Sequence, residues 1–247
     1  MTDLSALLST LNKSIPAEFA PPPAASGPQA ISPLSIFGAN GAPAVPASDP
    51  QTHYNKLTLL PLLLKTLSCA MVEWPLFRSA INYPNPQTTD KPSLTIRPTA
   101  DISIALSTPS GLYTPTLADV TGRSAFAIQG ELKRLANLGR QIPCALGPRE
   151  LPKRGGTLTV SNIGGLGAGT DAFPVLIQGG GVAIVALGRA EWEQVYSDAT
   201  GPGRRRLMLP VSWSADHRIV EGAELVAFVE SWRSWVENPT RLIGSGR

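Results

Sequence analysis

His217 is the side chain in this sequence best suited to moving a proton near neutral pH. It is one of only two histidines. It lies in Asp216-His217-Arg218-Ile219-Val220-Glu221-Gly222. An imidazole has an unperturbed pKa of about 6.5, which makes it a usable general base. The residue types alone leave two readings open. His217 is either a base aimed into a cleft or a junction residue whose hydrogen bonds serve only the fold.

The flanking elements decide how such a histidine is held. Leu207 to Trp213 reads as a strand. Ala223 to Asn238 reads as an amphipathic helix, because Leu225, Phe228, Val229, Trp232, Trp235 and Val236 recur at helical spacing. Asn238-Pro239 stops it. Upstream, residues 3–13 read as a short helix and 57–72 as a strongly apolar helix ended by Trp74-Pro75. Ser124 can cap a third helix running to about Leu138, with Ile128, Leu132 and Leu135 facing inward. Ile102 to Leu106, Thr157 to Ser161 and Val182 to Leu187 read as strands. This alternation predicts an α/β fold around a central sheet.

The chain has 247 residues, 43% hydrophobic and 16% charged, with a net charge of +3. It can build a core, and its charge is too small to argue for nucleic acid. Low charge fits a surface buried in an assembly. Arg204-Arg205-Arg206 follows Gly201-Pro202-Gly203 and reads as the solvated tip of a hairpin. Cys69 reads as a buried thiol. With Cys144 it forms neither a metal motif nor a disulfide scaffold, and no metal is expected. No segment reaches membrane-spanning length, and no targeting peptide is visible. Residues 14–56 are rich in Pro, Ala, Gly and Ser and read as an extended or disordered loop, with His53 incidental at its end. Gly164-Gly165-Leu166-Gly167-Ala168-Gly169 lacks the spacing of a dinucleotide fingerprint. Together with Gly179-Gly180-Gly181 it reads as tight turns.

Four blocks carry a family resemblance, and they occur in the family's order. Ser212-Trp213-Ser214-Ala215-Asp216-His217-Arg218-Ile219-Val220-Glu221-Gly222-Ala223 resembles the active-site signature of the dihydrolipoamide acyltransferases, the E2 components of 2-oxo acid dehydrogenase complexes. Gly155-Gly156-Thr157-Leu158-Thr159-Val160-Ser161-Asn162 resembles their Gly-Gly-Thr block. Ala105 to Leu112, followed by Thr114-Pro115, is similar to a strand and turn of the family, and Val182 to Gly188 to another strand. The resemblance covers about residues 57–243 and, weakly, 3–13.

The resemblance implies the chloramphenicol acetyltransferase-like α/β fold, a mixed sheet flanked by helices, as a trimer building block. It also implies an acyl transfer between thiols. A free thiol, with a pKa of about 8.5, is only slightly ionised at neutral pH, so a base that takes its proton helps. His217 is implied as that base. Ser161, matching the family serine given that role, is implied as the donor to the tetrahedral oxyanion. In the family these two groups come from adjacent subunits. Coenzyme A contacts carried over fall on Thr58, Ser107, Ser161, Asn162, Gly188 and Ala190. Glu221 replaces the usual Asp and is implied as a support of the histidine region. Equally it reads as a helix first-turn carboxylate. The family's coenzyme A arginine is missing; Leu11 stands about there.

The expected organisation is a helical remnant of the catalytic domain at 1–13, a flexible insertion at 14–56 and the catalytic domain at 57–247. No lipoyl or peripheral-subunit-binding domain is recognisable, and the first catalytic strand and helix are expected to be absent. The lipoyl group is thus expected on a domain outside this chain, as are the contacts with E1 and E3. The blocks around Ser161 and His217 look most like the branched-chain enzyme. That implies transfer of branched acyl groups from dihydrolipoamide to coenzyme A, in a cubic core of 24 subunits. Localisation follows the family, in the mitochondrial matrix for a eukaryotic chain and otherwise cytoplasmic. A non-catalytic, protein X-like scaffold, the pyruvate-type acetyltransferase and a free-standing chloramphenicol-type enzyme are the other readings.

Overall fold

The structure, a computed structural model, describes residues 1–21, 49–82, 91–166, 172–176, 181–196 and 203–244. Its helices are α1 (Thr2–Leu11), α2 (Leu59–Glu73), α3 (Ala125–Arg140) and α4 (Gly222–Glu237), followed by a single turn at Arg241–Gly244. Its strands are β1 (Ser79–Asn82), β2 (Ser93–Ile96), β3 (Ile102–Ile104), β4 (Leu106–Thr108), β5 (Gly111–Tyr113) and β6 (Thr116–Leu117). There follow β7 (Leu158–Asn162), β8 (Ala183–Leu187), β9 (Glu191–Val195), β10 (Arg204–Met208) and β11 (Val211–Ala215).

The central sheet has the order β11-β8-β7-β3-β6. Its middle strands β3, β7 and β8 are parallel, and β6 and β11 close its edges antiparallel. Period-2 alternation gives the sheet two unlike faces. Ile102, Ile104, Leu158, Val160, Ala183, Val185 and Leu187 turn to one face and join the hydrophobic core. The opposite face takes Ser103, Thr116, Thr159, Ser161, Ala186, Ser212 and Ser214 in register.

α2 lies at the centre of the core. Pro61 through Met71 are all buried, the signature of a helix surrounded by protein. Its buried Lys65 donates to the Thr121 carbonyl at 2.6 Å, which satisfies a group that would be costly to bury bare. α4 packs against α2. Phe77 and Phe228 stack with centroids 3.7 Å apart, and Trp232 Nε1 donates to Thr66 Oγ1 at 3.1 Å. Glu73, the last residue of α2, accepts from Ser231, Trp235 and Arg241. Ser124 caps α3 by accepting from the Ala127 N–H at 3.1 Å. Asn238 ends α4, as the Asn-Pro signal predicts.

Four sequence expectations are corrected. Leu207 to Trp213 is not one strand. Pro210 has no N–H to give a ladder, and there the chain leaves β9 and joins β8 as β11. Arg204-Arg205-Arg206 is not a hairpin tip. It lies within β10, opposite Val195, Gln194 and Glu193. Ile102 to Leu106 is likewise divided; β3 ends at Ile104, and Leu106 opens the separate β4–β5 hairpin. Finally, the ends of the 14–56 segment are fixed rather than extended or disordered. Phe19 and Tyr54 stack at 6.0 Å, the Tyr54 N–H donates to the Phe19 carbonyl, and the Tyr54 hydroxyl donates to Phe126 on α3. Residues 22–48 lie outside the described residues, as do Gly167 to Gly169, Gly179, Gly180, Gly201 and Pro202.

Candidate active site

The parallel strands bring five of the expected residues to one edge. Ser161 and Asn162 end β7, paired with Ala186 and Leu187 at the end of β8. Gly188 and Ala190 follow directly. β3 runs parallel to β7 and leads to the hairpin that carries Ser107, with the Ala105 N–H still bonded to Val160 O at 2.9 Å. Ser161 is half-buried, whereas Ser107 and Asn162 are exposed. The edge is made largely by backbone. The Asn162 side chain accepts from the Gly164 N–H at 3.1 Å, and Gly188 N–H donates to Pro210 O at 2.9 Å. Gly164 packs so closely on Gly188 that a Cβ would run into the Gly188 carbonyl. Glycine is needed there for close approach. Arg189 also reaches this edge, its Nε 3.4 Å from Gly164 O.

Thr58 stands elsewhere. Its N–H and hydroxyl both donate to Gln129 Oε1, at 3.0 and 2.8 Å, which ties the start of α2 to the first part of α3. Gly139, at the other end of α3, packs on Leu106 and Thr108 of the Ser107 hairpin. Ten residues of helix separate Gln129 from Gly139, roughly 15 Å at the α-helical rise. Leu11 closes α1 and packs against the core.

His217 is at the opposite end of the sheet. β11 runs antiparallel to β8, with Ala215 opposite Ala183, and the Asp216 N–H donates to Val182 O at 2.9 Å. The chain then turns through 217–219 into α4. His217 is exposed at this turn. Ser161 lies level with Ala186, about five residues further along β8 and two strands across. At standard strand rise and spacing, roughly 15–20 Å of backbone separate Ser161 from His217, more than their side chains can span. Within one copy of the chain the two groups do not meet.

Glu221 is the N-cap of α4, and Glu224 reaches back to accept its N–H at 3.1 Å. That arrangement fits the first-turn carboxylate reading. The Asp216 carboxylate accepts from Arg218 through Nε at 2.9 Å, Nη2 at 2.6 Å and the backbone N–H at 3.1 Å. The hydrogen bond from the Arg218 guanidinium holds this carboxyl below the usual Asp range. Beside the turn opens a mostly apolar cavity of about 420 Å³, between Arg218 and Ile219 on one side and Leu76, Ile81, Pro92, Ser93 and Leu94 on the other. Sequence reading missed the Asp216–Arg218 pair, though its i, i+2 charge spacing was visible. It also missed the β1–β2 hairpin, whose only signal is the short alternation Ser93-Leu94-Thr95-Ile96. Among the described residues no group of three or more His, Cys, Asp or Glu side chains could hold a metal ion.

Comparison with known proteins bears on this arrangement. Residues 45–244 match the family model for the 2-oxoacid dehydrogenases acyltransferase (catalytic domain). The mitochondrial lipoamide acyltransferase component of the branched-chain alpha-keto acid dehydrogenase complex of Mus musculus is 36% identical over 188 residues. That match covers 76% of this chain and 36% of the mouse protein. The chain thus spans about a third of the length of the curated relatives it matches. Among solved structures, a dihydrolipoamide acetyltransferase of Azotobacter vinelandii superposes with TM-score 0.65 at 30% identity. It covers 76% of this chain and 72% of its own. The cubic core of a pyruvate dehydrogenase multienzyme complex gives TM-score 0.65 at 31% identity, with the same coverage. A family model spanning most of the chain, and a fold shared with these two solved structures, lead to one assignment: the chain belongs to the acyltransferase catalytic-domain family of the 2-oxoacid dehydrogenases.

Proposed function

We propose that this chain transfers a branched-chain acyl group between dihydrolipoamide and coenzyme A, in a site assembled from two copies. The observation that carries this reading is the separation of Ser161 and His217. A histidine base and an oxyanion donor must both lie within hydrogen-bond reach of one thioester. In a single chain they sit at opposite ends of the sheet. A symmetric oligomer resolves the conflict, because a second copy can bring its His217 to the Ser161 edge. The row Ser161-Ala186-Ser212 across the sheet presents only small side chains there.

In this site His217 takes the proton of the attacking coenzyme A thiol. The thiolate adds to the carbonyl of the acyl-dihydrolipoamide thioester. Ser161 donates a hydrogen bond to the oxyanion, and collapse expels the dihydrolipoamide sulfur, which recovers the proton from His217. Coenzyme A is a substrate along the Ser107, Ser161, Asn162, Gly188 and Ala190 edge, with Thr58 at its far margin. The apolar cavity beside the histidine turn offers a seat for the acyl chain or the lipoyl hydrocarbon. Glu221 supports the turn as the cap of α4. In the Azotobacter acetyltransferase a serine, a histidine and an asparagine four residues beyond that histidine were examined for their roles in catalysis. Glu221 is four residues beyond His217.

Assembly follows the same reading: trimers, then a cubic core of 24 copies, which takes its acyl groups from a lipoyl arm and works with E1 and E3 components. The mouse relative supports the mitochondrial matrix for a eukaryotic source; otherwise the enzyme is cytoplasmic. The test is acyl transfer between coenzyme A and free dihydrolipoamide, with isobutyryl, isovaleryl and acetyl donors compared. Faster turnover of the branched donors is expected. Preference for acetyl would favour the pyruvate-type reading, and no transfer by an assembled core would favour the scaffold.

A further inference from the structure

Building on that proposed activity, we infer that Asp216 is a positioning residue that, clamped to Arg218, fixes His217 at the apex of its turn. The backbone and side chain of Asp216 hold the turn from both sides. Its N–H donates to Val182 O at the start of β8, which anchors the turn to the sheet. Its carbonyl accepts from the N–H groups of Ile219 and Val220, both at 2.9 Å. Its carboxylate reaches over His217 to accept the Arg218 N–H and two guanidinium nitrogens. His217 is thus the one residue enclosed between two partners that are bonded to each other. On the far side Val220 is 2% exposed, which moors the turn in the core.

The exposure of the pair separates placement from stability. The Arg218 side chain is 68% exposed and that of Asp216 17%. An ion pair so open to water adds little to folding. Its bidentate geometry instead restricts where the turn, and hence the imidazole, can lie. Misplacement of a reacting group by about 1 Å can cost up to a hundredfold in rate. A loosened clamp should therefore lower turnover while leaving substrate binding intact.

The test compares Asp216→Asn, Arg218→Gln and the double variant in the assembled protein. We expect kcat to fall by about tenfold in each single variant, with KM for coenzyme A and dihydrolipoamide within about twofold of wild type. The double variant should fall no further than either single one, since groups acting as a unit are non-additive. Amide hydrogen exchange of a peptide spanning 216–221 gives a readout independent of activity. Protection should drop at least about fivefold in Asp216→Asn while the β7 and β8 peptides stay protected. Unchanged kcat, or losses that multiply in the double variant, would overturn the inference. A wild-type core that transfers no acyl group overturns the functional reading instead, and unchanged turn protection would then overturn the clamp as well.

Discussion

The two ends of the central sheet are built by different means. At the Ser161 end the geometry comes from backbone. Parallel strands finish together, Gly164 lies against Gly188, and small residues let chains approach. At the His217 end the geometry comes from side chains. A charged pair locks an exposed turn, and the start of α4 carries its own carboxylate cap. The first end should tolerate changes of charge but not of volume. The second should tolerate volume but not loss of charge. The proposed chemistry needs both ends in one place, which a single copy does not provide.

The largest effects should come from the two groups proposed to react, His217 and Ser161. His217→Ala should lower turnover by at least about a hundredfold with assembly intact, the scale of a lost general base. Ser161→Ala should cost on the order of 10²-fold in kcat with little change in coenzyme A affinity, as for a lost oxyanion donor. Steady-state kinetics on size-checked assemblies decides both. Near-normal turnover of His217→Ala would remove it from catalysis, and a change confined to KM would make Ser161 a ligand contact.

A methyl group should be next in severity. Gly164→Ala places a Cβ against the Gly188 carbonyl. Relieving such a clash costs about 1–3 kcal/mol, and the shift falls on the edge proposed to take coenzyme A. We expect a lower melting midpoint and a severalfold higher KM for coenzyme A, with the KM for dihydrolipoamide little changed. Equal effects on both substrates would mean that the two ends are not separately built.

pH should act on the other end. The Asp216 carboxyl is held low chiefly by its hydrogen bond from Arg218. A group whose folded pKa lies below its unfolded value stabilises the fold above the unfolded value, about 3.9 for Asp, and ceases to as pH falls through the folded one. The stability gap between wild type and Asp216→Asn should therefore exist at pH 7 and close below about pH 4. With Arg218 so exposed, it should stay under about 1 kcal/mol. Chemical denaturation across pH measures it, and a gap that widens in acid contradicts the assignment.

The smallest effect concerns neither end. Replacing residues 22–48 by a short Gly-Ser link keeps the Phe19–Tyr54 stack, whose ends already meet. Loop closure depends weakly on length, so the melting midpoint and the oligomer should hardly change. Collapse of assembly on deletion would mark this segment as an interface element.

Much of this was legible in the sequence. Ser124, Trp74-Pro75 and Asn238-Pro239 punctuate helices by local chemistry, and they stand where that chemistry puts them. The apolar runs that became β7 and β8 are the buried middle of the sheet. Short edge pairs such as β1–β2 were not legible, because β2 is exposed along its whole length and its alternation runs for only four residues. The division at Pro210 was signalled by the proline itself. What no local pattern reveals is register, and register sets the distance between Ser161 and His217.

That distance makes the two-copy site testable by complementation. Inactive Ser161→Ala and His217→Ala chains are unfolded, mixed in equal amounts and refolded together, with each refolded alone as control. In a cyclic trimer a site takes its serine from one chain and its histidine from the next. A His217→Ala chain beside a Ser161→Ala chain then forms an intact site. Random mixing over the closed ring should restore about one site in four to wild-type activity. No recovery in demonstrably mixed trimers would place both residues in one chain's site, or remove one of them from catalysis, and the two-copy site would be wrong.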